Sequence, residues 1–149
     1  MIYLDHNATT KPESAVLDAM MPYFLEKWGN PSSGYRFANE TRKAVDASRE
    51  VIASVLGASP EGVIFTSGAT EAINSSIHSA VIRFSKKKHI VTSSVEHSAT
   101  LAYCDHLERD FGFEITRLSV DRNGLLDINQ LRDSIRQNTA LVSLIWANN

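Results

Sequence analysis

Short β-branched runs alternate with amphipathic stretches from about residue 63 onwards, and this alternation restricts the possible folds more than any other feature of the sequence. Alternation of this kind is typical of βαβ units, in which helices cover a sheet of parallel strands. The predicted strands are residues 63–66, 89–92, 113–120 and 141–146. The predicted helices between them are residues 70–84, 98–110 and 128–136. The sequence therefore predicts an α/β fold with a mostly parallel sheet.

Two further helices are predicted before the first strand, so the chain opens with a helical segment. Apolar residues recur at helical spacing in residues 12–28 and 37–56, and each set predicts one buried stripe. In the first helix they are Val16, Leu17, Met20, Met21, Phe24, Leu25 and Trp28. In the second helix they are Ala44, Val45, Val51, Ile52, Val55 and Leu56.

Local signals mark where several of these elements begin, bend or end. Pro22 removes a backbone donor and predicts a kink or break in the first helix. Gly57 suits the residue just beyond the end of the second helix. Asp127 is placed to cap the helix of residues 128–136, and Asp-Arg-Asn-Gly at 121–124 predicts a turn.

The bulk composition favours one globular domain that acts on a small partner. The chain has 149 residues, 43% of them hydrophobic, and no linker-like stretch divides it. Fifteen basic against seventeen acidic side chains give a formal net charge of −2, so no broad cationic face is available to nucleic acid or to a membrane surface. The run Lys86-Lys87-Lys88 is interpreted as a solvated loop.

The expected location is the cytoplasm. The N-terminal residues lack the basic and apolar regions of a signal peptide, and no apolar stretch approaches the length of a membrane span. Cys104 is the single cysteine, which excludes an intrachain disulfide and suits a reducing compartment. Its position inside the predicted helix 98–110 indicates a structural thiol.

The last predicted strand lies close to the end of the chain. Residues 141–147 form a continuous apolar run, which is typical of a strand buried on both faces. A buried strand needs neighbours on both sides, so we expect further strands that this sequence does not contain.

Polar groups follow three of the predicted strands, and parallel strands bring such groups to one edge of the sheet. After residues 63–66, the small-residue turn Ser67-Gly68-Ala69-Thr70-Glu71 opens a helix whose free amides suit a phosphate. His97 follows residues 89–92 and can stack on a planar ring or move protons. Asn148 and Asn149 follow the last strand. Each signal alone also fits an ordinary helix cap or turn, but their convergence predicts a cofactor site.

Metal and hydrolase sites are not supported. The five histidines, His6, His78, His89, His97 and His106, show no HExxH or paired-ligand spacing, so no metal site is expected. A Ser-His-Asp triad is not excluded by composition, but no GxSxG motif is present.

Five short motifs together resemble the cysteine desulfurases of the NifS/IscS type, which belong to the class V aminotransferase group of pyridoxal-phosphate (PLP) enzymes. They occur in that family's order and cover the whole chain. The motifs are Tyr3-Leu4-Asp5-His6-Asn7-Ala8-Thr9-Thr10, Gly29-Asn30-Pro31-Ser32-Ser33, Phe65-Thr66-Ser67-Gly68-Ala69-Thr70-Glu71, Glu96-His97 and Asn148-Asn149. The resemblance implies part of the mostly parallel sheet of a PLP fold-type I large domain, preceded by a helical segment.

The resemblance also implies roles for individual residues. Ala69 and Thr70 would hold the cofactor phosphate, and His97 would stack on the pyridine ring and assist proton transfer. Asn149 would lie near the ring hydroxyl and the substrate carboxylate. Asn7, Ala8 and Thr9 would lie at the substrate end of the pocket.

Departures from the family pattern limit what the chain can do by itself. The family often has histidine where Tyr35 stands and glycine where Ala38 stands. Its cofactor-binding lysine, the aspartate at the pyridine nitrogen, the glutamine at the ring hydroxyl and the persulfide-forming cysteine all fall beyond Asn149. No lysine of this chain follows a predicted strand, and Cys104 does not match the nucleophile. We therefore expect weak or no PLP binding and no desulfurase activity from residues 1–149 alone.

At the level of the family, the resemblance implies removal of sulfur from L-cysteine to give L-alanine and an enzyme persulfide. The sulfur would pass to an acceptor or scaffold protein, for example in iron–sulfur cluster assembly, and the family enzyme is a homodimer. Two alternatives remain open. One is a binding or complementation fragment without catalysis, and the other is a related class V enzyme such as a selenocysteine lyase or an aminotransferase.

Overall fold

The computed structural model describes residues 2–148 and divides them into two compact units. One unit contains residues 10–65, and the other contains residues 2–9 together with 66–148. The helices are α1 (Ser14–Leu25), α2 (Arg36–Leu56), α3 (Ala69–Arg83), α4 (Ser98–Phe111) and α5 (Ile128–Ser134). The strands are β1 (His89–Ser93), β2 (Glu114–Leu118) and β3 (Thr139–Ser143).

The three strands form one parallel sheet in the order β2-β1-β3. Ile90 of β1 lies opposite Ile115 of β2 and Leu141 of β3. Every residue of β1 is buried because the strand has a neighbour on each side. Helix α3 precedes β1, and α4 and α5 connect β1 to β2 and β2 to β3 along the chain, so the predicted α/β architecture with a parallel sheet is confirmed.

The core of this unit lies where α3 and α4 pack on the sheet. Its buried residues are Ile77, Ile90, Cys104, Leu107, Phe113 and Ile115. Cys104 is fully buried, and this burial raises the pKa of its thiol to about 11. A thiol protonated at neutral pH is a poor nucleophile, so the predicted structural role of Cys104 is confirmed.

His89 joins all three strands through its imidazole ring. The ring is fully buried in β1. Its Nδ1 lies 2.8 Å from the hydroxyl of Thr139 at the start of β3, and its Nε2 lies 2.9 Å from the hydroxyl of Thr116 in β2. Burial lowers the pKa of His89, and the positive charge of Arg136 lowers it further against the opposing charge of Glu114. The neutral ring is therefore favoured in the folded protein.

This lowered pKa predicts a loss of stability in weak acid. The unfolded chain binds a proton on His89 near pH 6.5, whereas the folded chain resists that proton until a lower pH. As the pH falls between these two values, the unfolding free energy should decrease by about 1.4 kcal/mol per pH unit. Above both values the titration of His89 contributes no pH dependence. Urea unfolding at pH 7.5 and pH 5.5 measures this, with His89→Gln as the variant that cannot titrate. An equal pH dependence in both proteins would contradict the prediction.

The strand predicted at residues 63–66 is wrong. Val63 has an extended backbone, but none of these residues pairs with another strand within the described part of the chain. The carbonyl of Val63 accepts a hydrogen bond from the guanidinium of Arg49, which also lies 4.9 Å from the ring centre of Phe65. A β-branched run favours extended backbone, but a strand also requires a neighbour.

The last strand also differs from its prediction. It spans Thr139–Ser143 rather than residues 141–146, and β2 is shorter than the predicted 113–120. β3 is an edge strand among those described, so it is only partly covered. Val142 is 37% exposed and Trp146 is fully exposed, so burial on both faces is not observed in residues 2–148.

Helix α2 has the predicted limits to within one residue, whereas α1 spans Ser14–Leu25 rather than residues 12–28, and neither helix has the predicted burial. α1 has no buried residue, and Val51, Val55 and Leu56 of α2 are all more than 60% exposed, while Ala38 and Ala53 are its buried residues. Between the two helices lies an apolar groove of about 980 Å³ rather than a closed core. α1 runs through Pro22 to Leu25 without a break.

Several local predictions are confirmed. α2 ends at Gly57, whose φ of 63° is the left-handed conformation that glycine adopts readily. Asp127 caps α5 by accepting a hydrogen bond from the amide of Asn129. Residues 121–124 form a turn that is closed by the amide of Gly124 and the carbonyl of Asp121. No helix within residues 2–148 is long and apolar enough to cross a membrane.

Candidate functional site

The carboxyl ends of β1 and β3 lie side by side, because the two strands are parallel neighbours. Two hydrogen bonds join the segments that follow them. The backbone amide of Ile145 donates to Oε1 of Glu96 at 2.8 Å, and the side-chain amide of Asn148 donates to the carbonyl of Val95 at 2.9 Å. The residues after these two strands therefore form one assembled edge, which we call the β1–β3 edge (residues 94–97 and 144–148).

His97 is the N-cap of α4. Its Nδ1 accepts a hydrogen bond from the backbone amide of Ala99 at 3.1 Å. An accepting Nδ1 carries no proton, so a neutral ring carries its hydrogen on Nε2. The residue is exposed. The cap therefore fixes the ring at the β1–β3 edge and leaves Nε2 available to a ligand.

The start of α3 has the chemistry of an anion site. Gly68 is the N-cap and has no side chain with which to satisfy the first amides of the helix. The first intrahelical donor is the amide of Ala72, which bonds to the carbonyl of Gly68. The amides of Ala69, Thr70 and Glu71 precede it and point towards the positive end of the helix dipole.

Glu71 engages Ser67 at this helix start. Its Oε2 accepts hydrogen bonds from the amide of Ser67 at 2.7 Å and from the hydroxyl of Ser67 at 2.6 Å. These bonds lower the pKa of Glu71. Ser67 is therefore occupied within the chain, and the donors left for an anion are the first helical amides and the exposed hydroxyl of Thr70.

The N-terminal residues form a turn that is tied to the segment after β3. The amide of Ala8 bonds to the carbonyl of Asp5, and the hydroxyl of Tyr3 donates to the carbonyl of Thr9. The side-chain amide of Asn7 donates to the carbonyl of Ala147 at 3.1 Å. The turn of Asn7, Ala8 and Thr9 therefore adjoins the β1–β3 edge.

The structure thus brings some of the predicted site residues together. Hydrogen bonds connect Asn7 with the segment after β3, and connect that segment with the residues just before His97. Ala69 and Thr70 begin α3, which packs on both β3 and α4. Asn149 lies outside the described residues.

Glu96 has a structural connection that the sequence interpretation missed. The motif Glu96-His97 by itself indicates no contact for the carboxylate. Its Oε1 also accepts a hydrogen bond from the hydroxyl of Ser93 at 2.7 Å. Ser93 and Glu96 are only three positions apart, but Ser93 ends β1 and does not cap α4, so no standard helix-capping signal points to this contact. No local signal points to the bond from Ile145 either, which is 49 residues away.

The lysines of this unit lie at the opposite edge of the sheet. Lys86, Lys87 and Lys88 all precede β1. Lys87 donates to the carbonyl of Thr139 and Lys88 to the carbonyl of Phe111, at the amino ends of β3 and β2. Within residues 66–148, no lysine therefore follows a strand. The described residues also contain no group of three or more His, Cys, Asp or Glu that could hold a metal ion.

The family described as "Aminotransferase class-V" matches residues 2–149. A cysteine desulfurase of Enterobacter agglomerans is 46% identical over 99% of this chain, and the cysteine desulfurase IscS of Dictyoglomus turgidum is 48% identical over 99% of it. The chain spans 37% and 38% of the length of these two relatives.

Solved structures show the same likeness in three dimensions. A NifS-like protein superimposes on 99% of this chain with a TM-score of 0.92 and 36% identity, and the match covers 40% of that protein. A structure described as SspA in complex with cysteine matches 95% of this chain with a TM-score of 0.86 and 37% identity, over 41% of that protein. The structure therefore corresponds to part of the PLP fold-type I domain, as the resemblance implied.

Proposed function

Because this chain belongs to the class V aminotransferase family, we propose that it forms the phosphate, ring and substrate-end contacts of a PLP-dependent cysteine desulfurase. The observation that carries the proposal is the β1–β3 edge, where His97, Asn148 and the turn of Asn7 are assembled by hydrogen bonds. The chain is about 37% as long as its relatives, so the complete reaction is proposed for the protein that contains it.

The donors at the start of α3 fit a phosphate. The amides of Ala69 and Thr70 and the hydroxyl of Thr70 are hydrogen-bond donors at the positive end of a helix dipole, which is a favourable arrangement for an anion. A side chain built on Gly68 would meet no atom within 4 Å, so this helix start is open to a ligand. We assign the cofactor phosphate to Ala69 and Thr70.

The contacts at the ring are assigned to His97 and Asn149. His97 presents a flat imidazole whose orientation is set by its bond to Ala99, and this suits stacking on a planar ring. Its Nε2 can give or take a proton at the edge of the pocket. Asn149 would lie near the ring hydroxyl and the substrate carboxylate, and Asn7, Ala8 and Thr9 would lie at the substrate end.

When bound, PLP supplies an electron sink that makes bonds at the substrate α-carbon easier to break. The proposed overall reaction transfers the sulfur of L-cysteine to an enzyme thiol, with L-alanine as the other product. That thiol is not Cys104, which is buried and whose pKa is raised. The proposed partners are a sulfur acceptor or scaffold protein and a second copy of the enzyme.

The test is the reaction of the protein expressed from its complete gene. Incubation with PLP and L-cysteine should yield L-alanine, and treatment with a thiol reductant should release an equal amount of sulfide. Reaction with L-selenocysteine alone, or transfer of the amino group to a keto acid, would assign the protein to another class V activity. The absence of all three reactions would contradict the proposal.

Replacing Thr70 by valine should weaken PLP binding. Valine has the shape of threonine without its hydroxyl, so the change removes a hydrogen bond to a charged phosphate. Loss of such a bond should raise the dissociation constant of PLP about tenfold or more. Titration with PLP of the cofactor-free protein expressed from its complete gene, followed by absorbance, measures this. Ser75→Ala, an exposed position on the same helix, is the matched control and should bind PLP like the unaltered protein.

A further inference from the structure

Glu96 is a buried carboxylate between the end of β1 and the start of α4. The residue is 7% exposed. A buried carboxylate is costly unless hydrogen bonds compensate for its lost hydration. Its position directly before the N-cap of α4 places its negative charge near the positive end of that helix, which stabilises it.

One oxygen atom of Glu96 connects two parts of the chain. Oε1 accepts a hydrogen bond from the hydroxyl of Ser93, the last residue of β1, at 2.7 Å. The same atom accepts a hydrogen bond from the amide of Ile145, two residues beyond β3, at 2.8 Å. The amide of Ile145 lies past the end of the ladder between β1 and β3, where no strand partner continues in the described pairing. Glu96 therefore extends the connection between these strands beyond their last paired residues.

The neighbours of Glu96 on both sides belong to the proposed site. Val95 accepts the hydrogen bond from the side chain of Asn148. His97 follows Glu96 directly and is held by Ala99. Movement of Ile145 away from Glu96 would therefore change the position of Asn148 relative to the ring of His97.

We propose that Glu96 is a positioning residue that fixes the segment of residues 144–148 against the turn that carries His97. This inference rests on the proposed function for its catalytic meaning, because that function places His97 and Asn149 on the cofactor. Glu96 itself acts through Ser93 and Ile145 and does not touch the cofactor. What matters is the reach of the side chain and an accepting oxygen at its end.

Hydrogen exchange of the protein expressed from its complete gene tests this without PLP. Glu96→Asp keeps the charge but shortens the side chain by one methylene group, and Glu96→Gln keeps the length and an accepting oxygen. Peptides that cover residues 141–148 should exchange about tenfold faster in Glu96→Asp, as expected for loss of one hydrogen bond. They should exchange within about twofold of the unaltered protein in Glu96→Gln.

The controls separate a local effect from general loss of stability. Glu50→Ala, an exposed glutamate of α2, should leave exchange in residues 141–148 unchanged. Peptides from β1 should exchange slowly in all variants. Unchanged exchange in Glu96→Asp, or equal acceleration throughout the protein, would overturn the inference. Faster exchange in Glu96→Gln than in Glu96→Asp would also overturn it, because charge rather than reach would then be decisive.

A PLP titration of the same variants distinguishes this inference from the proposed function. If the exchange results are as expected and PLP binds, Glu96→Asp should weaken PLP binding severalfold more than Glu96→Gln. If PLP does not bind to the unaltered protein, the proposed function fails, while the exchange data still decide whether Glu96 holds residues 144–148. If PLP binds equally well to both variants despite faster exchange in Glu96→Asp, the positioning role is wrong.

Discussion

Replacing His97 by alanine should lower the rate of alanine formation from L-cysteine by about a hundredfold or more in the protein expressed from its complete gene. Removal of a positioned acid–base group typically costs a factor of 10² to 10⁴. The expected loss follows from the exposed Nε2 of His97 at the β1–β3 edge, which is the atom proposed to move a proton. Alanine production under saturating L-cysteine and PLP measures it.

Two further variants make this result specific. Alanine at position 97 also removes the cap of α4, which by itself costs about 1 kcal/mol of stability. His97→Asn restores a side chain that caps helices well but cannot transfer protons, so it should be stable and equally inactive. His106→Ala, on the same helix, should retain activity. A His97→Asn enzyme with near-normal turnover would show that His97 acts only as a cap.

The second large effect concerns stability. Replacing Ile90 by alanine should lower the unfolding free energy by about 2–5 kcal/mol, because it removes a large side chain from a close-packed core. Ile90 is fully buried in the central strand and lies opposite Ile115 and Leu141. Total stabilities of domains are only about 5–15 kcal/mol, so much of the protein could unfold at 37 °C.

Urea unfolding followed by circular dichroism measures this loss. Ile82→Ala is the matched control, since Ile82 is 63% exposed on α3. Its cost should stay below about 1 kcal/mol, as is usual for surface positions. Equal costs at the two positions would mean that the packing around Ile90 is not the core of this unit.

Elements with strong local signals were predicted well from the sequence. α4 begins at Ser98 and α5 at Ile128, as expected, and β1 begins at His89. These predictions succeed because a helix cap, a terminal glycine or a hydrophobic period depends only on residues that are close together in the sequence. The position of Ala69 and Thr70 at a helix start, and of His97 just before another helix, was predictable for the same reason.

Burial was predicted poorly wherever it depended on a second element. Val51 and Val55 follow a clear helical period but are exposed, and Val63 is extended but unpaired in the described chain. An apolar stripe indicates which face of a helix can be buried, whereas burial also requires another element that covers this face. That element is not specified by the residues of the stripe.

The sequence by itself determined the α/β order of elements, the helix ends and the motifs that resemble cysteine desulfurases. Only the tertiary structure showed that His89 joins three strands and that Glu96 connects Ser93 with Ile145. The reason is physical. Helix caps and periodic faces arise from residues within a few positions of one another, whereas the bonds of His89 and the bond from Ile145 to Glu96 join residues that only the parallel sheet brings within 3 Å. The β1–β3 edge, which carries the proposed site, is therefore a product of strand pairing.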